Sequence, residues 1–346
     1  MTLPKKYYFY KLEKRKIVPV ESENLNQKAK KILQRLKRRK VFKTIPKKYQ
    51  KNWKKVSLFH SKGILDKADY LLLDVNNGSY ALKNKLNHLE GKEWTKFTKS
   101  WFVFDALPED LKEEKLITQK AGLNSEEHPA TYSPTMMEGF INFFTKEGET
   151  VLDPFAGIGS TLVACDRTGR KGIGIELNKK YCEIIKLRTK SKVINGNSKE
   201  IVKLLRKMKL EKVNFSISSP PYWDILNRST ASFEKVRKVK NLDINYSEEA
   251  EDIGNINAYD DFIDVLSEIY FGLYEFLEVG AYLVVIVKNL KKEGKHYPLA
   301  WDLAKKLQAK YELKDEKIWC QDKVGLSPFG YPFSWTSNIV HHYCLI

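Results

Sequence analysis

The stretch Thr150-Val151-Leu152-Asp153-Pro154-Phe155-Ala156-Gly157-Ile158-Gly159-Ser160-Thr161 decides how the chain folds. Thr150 to Asp153 reads as a short strand, and Ser160 to Thr168 as a helix ended by Gly169. Gly157 and Gly159 sit in the turn between them. Glycines let the backbone bend tightly and approach a ligand, and the helix's first turn offers unpaired N–H groups. A second strand, Lys171 to Glu176, ends on an acid about 20 residues further on, where a carboxylate can accept both hydroxyls of a ribose. The unit points to a nucleoside cofactor. Position 162 is Leu, where the dinucleotide pattern wants Gly or Ala. A ligand with a carboxylate near that helix therefore fits better than a pyrophosphate.

Outward from this unit the chain alternates. Pro134 to Thr145 is helical, and Asn178 caps a helix running to about Arg188. Val193-Ile194 is a third short strand, followed by a helix over Ser198 to Met208. Val213 to Ser218 is a fourth strand. Tyr259 to Leu277 reads as helix, Tyr282 to Lys288 as strand and Leu299 to Lys310 as helix. Strand-like runs around Lys317-Ile318-Trp319 and Asn338 to Leu345 close the chain. Strands alternating with helices mean an α/β fold with a mainly parallel sheet covered on both faces. The polar stretch 224–257 has no period and is longer than ordinary loops, which marks it as functional or disordered.

The fourth strand runs into Ser218-Ser219-Pro220-Pro221-Tyr222-Trp223. Neither proline has an N–H for a ladder, so the chain leaves the sheet there with a stiff backbone. In open α/β sheets ligands sit at this carboxyl end. One reading is a planar ring stacked on Tyr222, its polar edge held by Ser219 and the Ser219 and Pro220 carbonyls. The other is a proline-stiffened turn with an incidentally buried tyrosine.

Composition narrows the class. Hydrophobic residues make up 42% and charged residues 30% of the chain, which is globular. The aliphatic run Leu283 to Val287 is too short to span a bilayer. The N-terminus has no apolar h-region, so no signal peptide is expected. Cys165, Cys182, Cys320 and Cys344 form no CxxC pair, which fits a cytoplasmic protein and argues against a disulfide frame or a zinc cluster. Cys165 and Cys182 fall in amphipathic helices and are not candidate nucleophiles. His128, His341 and His342 lack the spacing of a ligand set, so no metal is expected. Of the net charge of +18, residues 1–60 supply +17, from 20 Lys/Arg against 3 Asp/Glu. Such a field suits a polyanion, most simply a nucleic-acid backbone, whereas a solubilising Lys-rich face would intersperse acids. A basic helix is expected over 24–40, followed by Tyr49, Trp53 and Phe59 among lysines.

Asp153-Pro154-Phe155-Ala156-Gly157 followed by Ser219-Pro220-Pro221-Tyr222 resembles the S-adenosylmethionine-dependent amino-methyltransferases of DNA. The resemblance covers about residues 92–346 and most strictly 128–223. It implies a Rossmann-like, doubly wound, mainly parallel seven-stranded sheet with a basic N-terminal extension. Residues 1–100 would form the basic region and 101–346 the methyltransferase domain, with 224–257 as a mobile loop suited to target recognition. His128 to Pro134 resembles the segment over the methionine end of the cofactor, which makes Thr131, Tyr132 and Ser133 binding candidates. Asp153, Phe155, Ala156, Gly157 and Gly159 match the cofactor loop, and Glu176 the ribose acid. Asn197 and Ser198 stand where the family reads the adenine; Asn197 departs from its usual Asp. Ser219, Pro220, Pro221 and Tyr222 match the catalytic tetrapeptide. A leading Ser and a following Trp223 resemble the cytosine-N4 enzymes more than the adenine-N6 enzymes, and so does the tail from Gly330 to Tyr343.

The implied activity is methyl transfer to N4 of a cytosine flipped out of double-stranded DNA. The rivals are adenine N6 of DNA, guanine N2 of RNA, and a non-catalytic nucleic-acid-binding protein on the same scaffold. RNA guanine-N2 enzymes favour Asp or Asn at position 219 and Gly at 223. The resemblance also admits a homodimer and a cognate restriction endonuclease as partners, and calls for no membrane.

Overall fold

A computed structural model describes residues 9–13, 16–19, 57–60, 70–74, 78–81, 84–105, 109–110, 112–113, 116–117, 132–223, 252–328 and 330–346. The helix expected over 24–40, the aromatics Tyr49 and Trp53, and most of the 224–257 stretch lie outside them. So do His128 to Thr131. The chain divides into two compact units, Met1–Thr98 and Lys99–Ile346.

The first unit holds β1 (Phe9–Glu13), β2 (Lys16–Pro19), β3 (Ser57–His60), β4 (Tyr70–Asp74), β5 (Gly78–Ala81) and α1 (Gly91–Phe97). The strands form a sheet in the order β2-β1-β3-β4-β5, with β1 and β3 parallel and the other pairs antiparallel. The residue pattern does not reveal these strands. Each has four or five residues, too few for an alternation to stand out.

The second unit is built on one eight-stranded sheet. Its elements in chain order are β6 (Trp101–Val103), α2 (Pro134–Phe144), β7 (Thr150–Asp153), α3 (Ser160–Thr168), β8 (Lys171–Glu176), α4 (Lys179–Arg188), β9 (Lys192–Asn195), α5 (Ile201–Lys207), β10 (Val213–Ser218), α6 (Tyr259–Leu273), β11 (Leu277–Val287), β12 (Leu290–Lys292), β13 (Lys295–Tyr297), α7 (Leu299–Leu307), β14 (Glu316–Cys320) and β15 (His341–Leu345). The sheet order is β6-β14-β15-β11-β10-β7-β8-β9. The strands from β11 to β9 run parallel, and β15 is antiparallel to both of its neighbours. This is the expected doubly wound sheet of seven strands, with β6 added in parallel at the edge beside β14.

Helices cover both faces. Leu152, Val285 and Val287 pack among Ile201, Phe262 and Leu303 of α5, α6 and α7. On the other face Phe144 of α2 stacks on Phe215, with ring centroids 5.2 Å apart. Helix α6 is legible in its spacing, since Phe262, Leu266, Ile269, Tyr270 and Leu273 recur every three or four residues and are buried. The β12–β13 hairpin has no such signature. Its strands are three residues long, too short to show a period, and Glu293 and Gly294 turn between them at φ of 51° and 77°.

Leu162 explains how α3 packs without the third glycine of a dinucleotide loop. Leu162 is fully buried, and a Cβ added at Gly174 of β8 would lie 2.8 Å from its Cδ1. The small residue that allows close helix–strand packing has moved from the helix to the strand.

Candidate active site

A cleft with about 980 Å³ of empty space opens at the carboxyl ends of β7, β8 and β10. Strand ends in a parallel sheet point their loops this way, so residues far apart in sequence converge.

The β7–α3 turn forms the floor. Asp153 Oδ1 accepts from Phe155 N at 2.9 Å, and Ala156 N donates to Ile175 O at 2.9 Å, which ties the turn to β8. Gly159, at φ +89°, supplies the left-handed residue before α3, and a Cβ there would meet Ile185 at 2.8 Å. Its role is to shape the loop; Asp153, Phe155, Ala156 and Gly157 line the cleft itself. Burial pushes the Asp153 carboxyl up to about 6.

Glu176 holds the β8 side. Its Oε2 accepts from Gly157 N and its Oε1 from Asn178 N, both at 2.8 Å. Each carboxylate oxygen has two lone pairs, so each keeps one for a further donor. Burial pushes this carboxyl up to about 8 in spite of the two N–H bonds. Asn197 and Ser198 follow β9 and line the same cleft. Ser198 Oγ donates to Pro154 O, and Asn197 Oδ1 accepts from Lys199 N at 2.9 Å, so both also hold their own turns.

The β10 end carries Ser219, Pro220, Pro221 and Tyr222. Ser219 and the two prolines line the cleft. The Tyr132 hydroxyl is hydrogen-bonded to Ser219 Oγ and lies 3.1 Å from the Tyr222 hydroxyl. Burial pushes the Tyr222 phenol up to about 12, so it stays protonated. Tyr132 is held in place by its neighbour. Ser133 Oγ donates to Asp110, which also accepts from Arg167 Nη1 at 2.9 Å. Ser133 is thus an anchor at the start of α2, and its hydroxyl is spent on Asp110 rather than on the cleft. Thr131 lies outside the described residues.

Trp223 does not face the cleft. It is 2% exposed, packs against Tyr259 and Tyr297, and donates through Nε1 to Ile256 O at 2.8 Å. Its part is to brace the turn.

Sequence reasoning does not single out Asp110, Asp252 or Ser160. Asp252 lines the cleft from the segment before α6 and accepts from Gly254 N at 2.8 Å. Its Asp-x-Gly turn is the available signal, hidden in a polar stretch. Ser160 Oγ is buried in the cleft at the first turn of α3 and has no hydrogen-bond partner. Buried hydroxyls are nearly always paired, so an orphan at a helix N-terminus marks where an anionic ligand group goes. Cys165 and Cys182 are buried free thiols, and burial pushes Cys182 up to about 12, which leaves no thiolate nucleophile there. No metal-binding cluster occurs among the described residues. No helix among them is long and apolar enough to cross a membrane.

Residues 6–187, just over half of the chain, match the model of the N6/N4 DNA methylase family. The chain belongs to this family.

The match takes in the glycine turn between β7 and α3 and Glu176 and stops before Ser219. Individual proteins are similar to this chain over shorter stretches. The Type II methyltransferase M.HpaI of Haemophilus parainfluenzae is 40% identical over 73 residues, 21% of this chain and 23% of its own length. M2.DpnII of Streptococcus pneumoniae is 39% identical over 72 residues, 21% of this chain and 27% of its own. A tRNA (guanine(10)-N2)-dimethyltransferase of Methanocaldococcus jannaschii is 29% identical over 121 residues, 32% of this chain and 33% of its own. The chain thus spans about a quarter of the length of the first two.

Membership in this methylase family implies S-adenosylmethionine as cofactor, and the cleft fits it. Glu176 keeps lone pairs for two ribose hydroxyls. Ile158, Leu177 and Ile253 give apolar walls for an adenine. The unpaired Ser160 hydroxyl, with the α3 N-terminus, suits the methionine carboxylate.

Proposed function

We propose that the chain is a DNA amino-methyltransferase that acts on a flipped-out base, with cytosine N4 as its target. The observation that carries this reading is the hydrogen-bonded group Tyr132, Ser219 and Tyr222 at the end of β10, beside the cofactor cleft. The cofactor, when bound, supplies a sulfonium methyl as electrophile. An exocyclic amine is a weak nucleophile because its lone pair is delocalised into the ring. Ser219 Oγ and the Ser219 and Pro220 carbonyls can accept its two hydrogens and turn the lone pair toward the cleft. The two prolines hold those carbonyls still, so little ordering is needed when the base arrives. Tyr222 offers the ring on which the base stacks, a contact worth about 1–3 kcal/mol. The nitrogen gains the methyl and releases one proton. No covalent enzyme intermediate is needed, in keeping with the buried, protonated thiols.

Cytosine is favoured over adenine because the tetrapeptide begins with Ser219. A leading Ser219 followed by Trp223 resembles the cytosine-N4 enzymes more than the adenine-N6 enzymes; the hydrogen-bonding edge itself, an amine beside an acceptor ring nitrogen, is common to both bases. The test is transfer of labelled methyl to unmethylated duplex DNA and to tRNA, followed by digestion to nucleosides. Label in N4-methylcytosine is expected. Label in N6-methyladenine would move the target, and label in N2-methylguanosine would overturn DNA as substrate. No transfer to either would favour a binding protein.

A further inference from the structure

The strands β14 and β15 are joined by residues 321–340. Cys320 pairs with His341, and Val287 of β11 with Tyr343. This connection therefore leaves the sheet at the same end as Ser219. At its base, the His342 ring lies 6.2 Å from the Tyr222 ring.

Three large aromatic side chains project from it. Tyr331, Phe333 and Trp335 are 80%, 94% and 87% exposed. The backbone that presents them is built rather than loose. Ser334 N and Phe333 N donate to Gly330 O at 2.7 and 2.8 Å, and Asn338 makes two bonds to the Ser327 backbone. Three exposed rings within five residues are far more apolar surface than single scattered residues account for.

The β12–β13 hairpin lies beside this connection. Lys291 Nζ donates to Ser337 O at 2.7 Å and to Thr336 Oγ1 at 2.5 Å. The hairpin also touches the catalytic turn, with Lys292 Nζ 4.1 Å from the centroid of Trp223. Residues 288–297 carry Lys288, Lys291, Lys292 and Lys295 against the single acid Glu293. Turn, hairpin and aromatic connection thus form one continuous rim.

Exposed rings set among lysines suit a nucleic acid better than a protein surface. Protein–protein interfaces are depleted in lysine, whereas stacked bases accept aromatic wedges and phosphates accept ammonium groups. A base drawn from a duplex leaves a gap and unstacked neighbours, at a cost of roughly a few kcal/mol. Resting on the function proposed above, we infer that the 321–340 connection enters duplex DNA next to the target base. Tyr331, Phe333 and Trp335 stack on the bases exposed there, while the exposed Lys295 at the hairpin meets a flanking phosphate. Lys291 braces the two parts against each other.

The test uses the full chain with the double substitution Phe333→Ala/Trp335→Ala. Both side chains are on the surface, so folding and cofactor affinity stay unchanged. The kcat/KM for unmethylated duplex phage DNA should fall by at least about tenfold, and for the same DNA after heat denaturation by less than about threefold, because that strand needs no opening. Unchanged activity on duplex, or an equal loss on both substrates, overturns the inference. A second readout is independent of methyl transfer. A photoreactive benzophenone amino acid in place of Phe333 should cross-link to duplex oligonucleotide. Cross-linking only to a second copy of the chain, or no DNA adduct, overturns it. Absence of methyl transfer by the unaltered chain would refute the proposed activity and leave the cross-link to decide this surface.

Discussion

The hydroxyls of Tyr132 and Ser219 are hydrogen-bonded to each other, 87 residues apart in the chain. The bond joins the segment before α2 to the turn after β10. Ser219 is oriented by it, and Tyr222 is held 3.1 Å away on the same hydroxyl. Tyr132→Phe removes both bonds and keeps the ring. It should lower kcat for methyl transfer by about ten- to a hundredfold through misplacement of Ser219. Cofactor affinity, read by calorimetry with S-adenosylhomocysteine, should change less than about twofold. Ser219→Ala should lower kcat further, with the same cofactor affinity.

Ser160→Ala separates stability from binding. The Ser160 hydroxyl is buried and unpaired, so removing it should leave the ligand-free protein as stable or more stable, by up to about 1 kcal/mol. The same change removes a donor for the cofactor carboxylate and should weaken cofactor binding by about ten- to a hundredfold, as for a hydrogen bond to a charged group. Urea unfolding and calorimetry read the two effects. A loss of stability without a loss of affinity would sink the assigned role.

Glu176 gives a pH dependence. Its carboxyl is pushed up to about 8 by burial, so at neutral pH the ligand-free site holds mostly the acid form. Ribose hydroxyls donate to the carboxylate, so binding favours the ionised form and releases a proton. Cofactor affinity should therefore rise by up to about tenfold per unit from about pH 6 to 8 and level off above. Titrations across that range test the slope. Glu176→Gln should bind weakly and lose the rise between about pH 7 and 8, because the Asp153 carboxyl in the same cleft is pushed up only to about 6 and titrates below that range.

Trp223 joins the Pro220-Pro221 turn to Ile256 across the 224–251 stretch. Trp223→Ala empties a buried aromatic site and should cost about 3–5 kcal/mol. Trp223→Phe keeps most of the packing but orphans the Ile256 carbonyl, at about 1–2 kcal/mol. The two unfolding midpoints should fall in that order. Equal midpoints would mean that the indole does not brace the turn.

The N-terminal charge predicts a salt effect. Neutralising Lys37, Arg38, Arg39 and Lys40 with Gln should flatten the plot of log affinity for duplex DNA against log salt by up to about 3–4, at roughly 0.9 for each phosphate left without its cation. An unchanged slope would show that this segment does not touch the backbone.

Much of the second unit is legible in residue order. The strand, glycine turn and helix at 150–168, the acid at 176 and the Asn178 cap are local patterns, set by φ, by period and by capping within a few residues. The proline pair at 220–221 marks a strand end for the same reason. The N-terminal sheet is not legible, because strands of four or five residues are too short to show an alternation. The β12–β13 hairpin escapes because each of its strands has only three residues.

Order along the chain by itself determined the α/β class, the glycine turn before α3 and the proline-stiffened turn after β10, since each rests on neighbours in sequence. Tertiary structure alone decided which distant residues meet. It set Tyr132 on Ser219, put Asp252 into the cleft, left Ser160 Oγ unpaired, turned Trp223 inward and placed the aromatic connection on the active-site rim. Parallel strands carry their loops to one end of the sheet from positions dozens of residues apart, and no local pattern records which of those loops will touch.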